Sequence, residues 1–237
     1  MEKILLALDA HRLSTNTIEF ACYVAQRTHS KLTGLLLERV RTATPLYIAG
    51  SGDAPYGDGD PSDVIDTQTI RRFRQLCMDR HTLTDVHLGQ GTALSEIVLE
   101  SRYASLLIID PDTTFSRVRS ITRQFIEDVL LQSGCPVLVA PHDLRTGSEI
   151  VIIYRDDTSS FNTVRQFADL FDGLAEKKLT LVTLYPPGIS QQAPPAEAMQ
   201  WLNEHYGQVE LVALKDDPSG ILTDMLVEKK NALVIVT

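Results

Sequence analysis

Two aspartates stand where a parallel α/β protein could bind a ligand. Asp9 and Asp156 each follow a short apolar run that is typical of a buried strand. The tripeptide KLT at 31–33 recurs at 178–180, with the same spacing that separates the two aspartates. Open parallel sheets bind ligands at the carboxyl ends of their strands, so both aspartates are candidate binding residues. The repeat predicts two copies of one module.

Three arginines could hold a phosphate group through their side chains. Arg117, Arg119 and Arg123 lie beyond the fourth apolar run, and guanidinium groups match the geometry of phosphate. Arginine trios without a surrounding motif are common in proteins. We therefore favour a solvated basic loop over a phosphate site.

The spacing of acidic residues and histidines indicates neither a metal site nor a catalytic group. An acidic cluster suggests calcium, but it lacks the EF-hand order with its central Gly and terminal Glu, which favours an acidic loop. The histidines form no HExxH pattern. We predict no metal site and no catalytic residue. The acidic cluster consists of Asp53, Asp58, Asp60 and Asp63.

The cysteines are predicted to be structural. Cys22, Cys77 and Cys135 lie far apart in apolar sequence. This spacing favours reduced core thiols over a disulfide framework or a metal site. Cys135 is predicted to be a packed thiol at the start of a strand, because no cationic pattern nearby would lower its pKa.

Short apolar runs alternate with segments of helical period along the whole chain. The first helix is predicted to start after the capping residue Ser14 and to bury Ile18, Cys22 and Ala25. A stretch at 41–62, rich in Gly, Pro and Asp, is predicted to be a long loop. Alternating helices and Val/Ile/Leu-rich strands require a parallel sheet covered on both faces, which is the α/β class. Strands are predicted at 4–8, 32–40, 85–88, 106–109, 137–140, 150–154, 179–185, 209–214 and 233–236.

The repeat also predicts the domain organisation. We expect one module at 1–141 and a second at 149–237, separated by the polar stretch 142–148. Thr237 corresponds to Asp110 of the first module. The second module is therefore expected to lack its last helix and strand, and we interpret this as truncation.

Two strands are predicted to lie at sheet edges. Strand 233–236 would be an exposed edge, because the strand that should follow it is missing. Pro136 and Pro141 flank strand 137–140, and proline is tolerated at an edge, where a missing N–H costs little. We expect strand 137–140 to pair either with a second chain or with the second module.

Composition narrows the classes of partner. The chain has a formal net charge of -9, with 43% hydrophobic and 22% charged residues, as expected for a globular protein. The acidic balance opposes binding to nucleic acid or to anionic lipid, because polyanion binding uses clustered Lys and Arg. No apolar run approaches membrane-spanning length and no secretory signal pattern is present. We predict a cytoplasmic protein.

The first module resembles the universal stress protein family, and the tandem arrangement resembles its two-domain members. The resemblance implies two Rossmann-like modules of the type also found in adenine nucleotide alpha hydrolases, with a parallel sheet in the order 3-2-1-4-5. It further implies pairing through the fifth strand and, in many members, an ATP site. The segments that carry it are ILLALD at 4–9, LTGLLLERV at 32–40, HLGQGTALSEI at 87–97, LLIID at 106–110 and CPVLVAP at 135–141.

The phosphate loop of the ATP-binding members is not preserved. Its pattern, GxxGx9G[ST], places its glycines on Asp110, Thr113 and Arg123 and its hydroxyl residue on Gln124. Glycines allow the close approach of backbone N–H groups to phosphates, which a Cβ would obstruct. Pro111 removes one N–H donor, and Asp110 adds a negative charge. We predict that the first module does not bind ATP in the family manner.

The resemblance also assigns two residues to the adenine. Asp9 matches the acidic residue beside the base, and Val40 matches a backbone contact to it. Without the phosphate loop, Asp9 is better interpreted as a residue that caps the turn after its strand. Asp9 and Val40 would bind a cofactor only if a nucleotide binds.

Three functional hypotheses follow. The first is a non-enzymatic stress-response and regulatory protein without a cofactor, acting through a homodimer or intramolecular domain pairing and an unidentified protein partner. The alternative is an ATP-binding, slowly hydrolysing universal stress protein that uses a modified site or a site in the second module. A signalling receiver or an ATP pyrophosphatase fits poorly, because the paired acids, the Lys and the Ser-Gly-Gly loop that they need are absent.

Overall fold

The protein is described by a computed structural model. It describes residues 2–37, 67–89, 91–110, 119–141, 149–154, 161–162, 164–165, 167–168, 176–185, 196–215 and 232–236, and all structural statements concern these residues.

Nine strands and five helices have defined bounds in the described part of the chain. The strands are β1 (Lys3–Asp9), β2 (Lys31–Leu37), β3 (Thr84–Leu88), β4 (Leu106–Ile109), β5 (Val137–Val139), β6 (Glu149–Tyr154), β7 (Lys178–Tyr185), β8 (Gln208–Lys215) and β9 (Ala232–Val236). The helices are α1 (Thr15–Arg27), α2 (Thr67–Met78), α3 (Ala93–Ser101), α4 (Arg119–Gln132) and α5 (Ala196–His205). Each predicted strand is confirmed, with bounds that differ by a few residues.

The strands form one sheet in the order β3-β2-β1-β4-β5-β9-β6-β7-β8. The predicted order 3-2-1-4-5 is therefore confirmed for the first five strands, and β6 to β9 repeat the relative order of β1 to β4. Neighbouring strands are parallel except for β5 and β9, which are antiparallel. The prediction of an α/β fold with a mostly parallel sheet is confirmed.

Neither strand is a sheet edge, so both edge predictions are wrong, but the pairing of strand 137–140 with the second half of the chain, one of the two expected alternatives, is observed. Strand β5 lies between β4 and β9, and β9 lies between β5 and β6. The antiparallel pairing involves only Val137–Val139, so the flanking prolines fall outside it and remove no N–H from this ladder. The backbone continues its hydrogen bonding beside them, because Ala140 N–H donates to Ile109 O at 2.9 Å.

Successive strand residues pack into two separate cores on opposite faces of the sheet. In β1, Leu6 and Leu8 belong to the core that contains residues of α1 and α2, whereas Leu5 and Ala7 belong to the core that contains residues of α3 and α4. This alternation follows from the two-residue period of a strand. The central strands read as continuous apolar runs because both of their faces are buried.

Helix α1 begins as the sequence predicts. The side chain of Ser14 accepts a hydrogen bond from the backbone N–H of Thr17, which makes Ser14 the N-cap. The predicted inner face is also confirmed, since Ile18, Cys22 and Ala25 are buried. The long loop predicted at 41–62 and the boundary stretch 142–148 lie outside the described residues.

Candidate functional site

The centre of the first five strands brings two aspartates to the same edge of the sheet. Asp9 ends β1, and Asp110 follows β4 directly. Strands β1 and β4 are parallel neighbours, with Leu6 in register with Ile108, so their carboxyl ends meet. The strand order reverses between them, and such a switch point is where open α/β sheets bind ligands.

Asp9 holds the turn that follows its strand. Its side chain is buried, and Oδ1 accepts a hydrogen bond from the backbone N–H of His11 at 2.9 Å. Its main-chain oxygen accepts from Arg12 N–H at 3.0 Å. This geometry is an Asx turn, and it accounts for the residue type at this position without a ligand.

Asp110 is directed at the first turn of α1. The hydroxyl of Thr17 donates to Asp110 Oδ2 at 2.6 Å, and both residues are buried. Ser14 Oγ lies 2.9 Å from Thr17 Oγ1. Because the Thr17 proton is used for Asp110, the hydroxyl of Ser14 must donate to Thr17, and a chain of hydrogen bonds runs from Ser14 through Thr17 to Asp110.

The position of Asp110 has an electrostatic consequence. The N-terminus of a helix carries a partial positive charge and attracts anions. Here the carboxylate of Asp110 already supplies a negative charge at the start of α1. A phosphate at the same place would have to replace this carboxylate or lie beside it.

The sequence identified Asp110 but missed its partner Thr17. The available signal was the spacing of Ser14 and Thr17, which places the second hydroxyl three residues after a predicted cap. Val40, Thr113 and Asp156 lie outside the described residues. Arg117 also lies outside them, and so do the side chains of three helical residues, Arg119, Arg123 and Gln124.

A concave region lies at the opposite, amino-terminal edge of the strands. It is a cavity of about 320 Å³ whose lining includes Lys3, Lys31, Asp85 and His87. Its lysines are paired, since Lys3 Nζ lies 2.6 Å from an oxygen of Glu100 and Lys31 Nζ lies 2.6 Å from Asp85 Oδ2. The hydrogen bond from Lys31 lowers the pKa of Asp85. Neutralised lysines make this cavity a poor anion site.

The thiols are free, as the sequence predicts. Cys22 and Cys77 are buried, and Cys135 is half-buried. Cys135 packs against the core beside α4, as predicted, and burial raises its pKa to about 12. Within the described ranges, no three metal-ligating side chains come together.

Comparison with known proteins identifies the fold. No family model matches the sequence, and no curated protein matches it. A universal stress protein from Archaeoglobus fulgidus DSM 4304 superposes with a TM-score of 0.51 at 13% identity, over 97% of this chain and 82% of that chain. The chain has the universal stress protein fold.

Two further solved structures superpose on this chain to a similar extent. A functionally unknown protein from Pseudomonas aeruginosa PAO1 has a TM-score of 0.52 at 18% identity, over 98% of this chain and 79% of that chain. The cytoplasmic domain of a prokaryotic cation chloride cotransporter has a TM-score of 0.50 at 12% identity, over 99% of this chain and 94% of that chain. Among the described helices, none has the length and apolar character needed to cross a membrane.

Proposed function

We propose that this chain is a non-enzymatic stress-response and regulatory protein with two universal stress protein modules, at 1–141 and 149–237. Its first module does not bind ATP in the family manner. The fold supports this assignment, and the absence of the family's glycine pattern supports the loss of the nucleotide.

The contact between Thr17 and Asp110 is the main observation in favour of a first module that does not bind ATP. A buried carboxylate that accepts a 2.6 Å hydrogen bond stands at the first position of the lost glycine pattern. Two unit charges about 4 Å apart repel by ~1 kcal/mol in water and ~4 kcal/mol at an effective dielectric constant of 20. A neutral N–H contact to a phosphate contributes only about 0.5–1.5 kcal/mol net, so at the lower dielectric constant one carboxylate offsets several such contacts.

The alternative is an ATP-binding protein that uses a modified site or a site in the second module. Asp156 is the second-module counterpart of Asp9 and would lie in such a site. A nucleotide held there would leave the region around Asp110 unchanged, so the two possibilities are separable by a substitution at Asp110.

Calorimetric titration with ATP and Mg²⁺ tests the proposal. We expect no binding heat from the chain at ATP concentrations that saturate a universal stress protein with the intact glycine pattern, which is the positive control. Micromolar binding would contradict the proposal. In that event Asp110→Asn locates the site, because removal of the charge would tighten binding near Asp110 and leave binding in the second module unchanged.

We propose that the intramolecular pairing of β5 with β9 replaces the pairing between chains that the family resemblance implies. The fifth strand has neighbours on both sides, so a homodimer would have to use another surface. In this proposal the regulatory role depends on an unidentified protein partner. The chain binds neither nucleic acid nor a membrane. A cytoplasmic location is part of the same proposal.

A further inference from the structure

The cavity at the amino-terminal edge of the strands contains a buried hydroxyl without a partner. Thr33 of β2 lines this cavity and is 7% exposed. In the described part of the chain, its hydroxyl makes no hydrogen bond. A buried hydroxyl without a hydrogen bond is unfavourable. Such a group in the wall of a cavity indicates a ligand that bonds to it.

The second half of the sheet shows how the same position is satisfied. Thr180 is the counterpart of Thr33 in the repeated tripeptide KLT. The hydroxyl of Thr180 donates to Glu149 Oε1 at 2.5 Å. The ammonium of Lys178 lies 3.9 Å from the same carboxylate oxygen. In the second half, a carboxylate therefore bonds to the threonine and approaches the neighbouring lysine.

The first half lacks this carboxylate because a lysine takes its position. In the second half, Glu149 of β6 is in register with Lys178. In the first half, Lys3 of β1 is in register with Lys31, the counterpart of Lys178. An ammonium cannot accept a hydrogen bond, so Lys3 cannot replace the carboxylate as the partner of Thr33. A carboxylate from outside the chain would restore the missing contact.

The charges around the cavity favour a ligand that carries both signs. Its lining includes two ammonium groups and two carboxylates, whose formal charges cancel, and these belong to Lys3, Lys31, Glu2 and Asp85. Both lysines are already paired with carboxylates, so a simple anion is a poor ligand. Each ammonium still has further N–H groups that it can share with the carboxylate of a zwitterion.

Glu2 offers a position for the positive group of such a ligand. It lies beside Lys31, whose backbone N–H donates to Glu2 O at 3.0 Å. Its carboxylate forms no ion pair with another described residue. The acceptor for an ammonium and the donor for a carboxylate therefore line the same cavity, as Glu2 and Thr33.

We propose that this cavity binds a free α-amino acid. The ligand carboxylate accepts hydrogen bonds from the hydroxyl of Thr33 and from Lys31, as the carboxylate of Glu149 does from its own threonine. The ligand ammonium pairs with Glu2. A volume of about 320 Å³ is at the lower end for small-molecule pockets, which suits a ligand of this size.

Saturation-transfer NMR on the full chain tests the proposal, with the standard L-amino acids as probes. For the amino acid with the strongest signal, the matched probes are the amine that lacks its carboxylate and the acid that lacks its ammonium. We expect saturable binding of the amino acid and binding at least about tenfold weaker for either matched probe. No signal from any amino acid, or equal binding of a matched probe, would overturn the proposal.

Thr33→Val and Thr180→Val form a matched pair of variants. Thr33→Val should weaken binding by about threefold to tenfold, because it removes the donor to the ligand, without lowering thermal stability. Thr180→Val should leave binding unchanged and lower the unfolding temperature, because it removes the donor to Glu149. Unchanged affinity in Thr33→Val would place the ligand elsewhere and overturn the proposal.

Glu2→Gln provides a second test at an exposed position, where folding is not at risk. Loss of the charge should weaken binding of the amino acid by about twofold to fivefold and leave binding of the matched acid unchanged. If Thr33→Val does not fold, this variant decides, and an unchanged affinity then overturns the proposal. The cavity lies at the opposite edge of the strands from Asp110, so the titration with ATP tests the proposed function separately.

Discussion

The two buried aspartates at the carboxyl ends of β1 and β4 have different structural roles. Asp9 caps its own turn through the His11 N–H, which is a local contact. Asp110 accepts a hydrogen bond from Thr17, a residue far away in sequence. The first carboxylate shapes the loop, and the second links the central strand β4 to α1.

The Thr17 hydroxyl should therefore contribute measurably to stability. Thr17→Val keeps the side-chain shape but removes the donor to Asp110, leaving a buried carboxylate with one hydrogen bond fewer. We expect a loss of about 1.5–3 kcal/mol in the free energy of unfolding, as for hydrogen bonds to charged groups. Urea denaturation measures it.

The same replacement at Thr15 is the matched control. Thr15 is half-buried and begins α1, and its replacement by Val should change stability by less than about 0.5 kcal/mol. Equal losses for the two variants would mean that the contact between Thr17 and Asp110 contributes nothing specific.

At the scale of elements, a glycine determines how closely α2 approaches the sheet. A Cβ on Gly34 of β2 would lie 2.6 Å from Cζ and 2.7 Å from Cε1 of Phe73, which is fully buried. Such contacts are shorter than van der Waals packing allows. The ring of Phe73 therefore uses the space that the missing side chain leaves.

Gly34→Ala should lower the free energy of unfolding by about 1–3 kcal/mol, because it overpacks this contact. Phe73→Leu shortens the facing side chain, so the double variant should lose at least about 0.5 kcal/mol less than the sum of the single losses. The coupling free energy between the two positions is obtained from thermal or urea denaturation of the unmodified chain, the two single variants and the double variant. Gly91→Ala is the control, since its added Cβ would meet the flexible side-chain end of Glu96. Additive losses would exclude a direct contact.

At the scale of the whole molecule, β5 and β9 join the two halves of the sheet, through three residue pairs in the described part of the chain. Val137, Leu138 and Val139 of β5 pair with Val236, Ile235 and Val234 of β9. All six side chains are buried. Such a junction couples the unfolding of β1–β5 to that of β6–β9.

Ile235→Lys should uncouple the two halves, because a buried unpaired charge is costly. We expect the single thermal transition of the unmodified chain to separate into two, and amide exchange in β5 to become faster than in β2. Leu211→Lys on the edge strand β8 is the control, since Leu211 is 47% exposed and the change should cost less than about 0.5 kcal/mol. A single cooperative transition in Ile235→Lys would contradict the coupling.

Sequence patterns predicted the elements and much of the site because the signals are local. Continuous apolar runs identify strands such as β1 that are buried on both faces, and Ser14 identifies the start of α1 through a contact within one turn. The loss of glycine at Asp110 is likewise readable from the pattern alone.

Only the tertiary structure decided which distant groups meet. The hydroxyl that binds Asp110 and the ring that Gly34 accommodates both come from separate segments of the chain. The prolines around β5 indicated an edge, yet β9 covers it, because strand pairing depends on which backbone groups face each other in space. Local propensity describes each element on its own, whereas these contacts depend on how the elements pack.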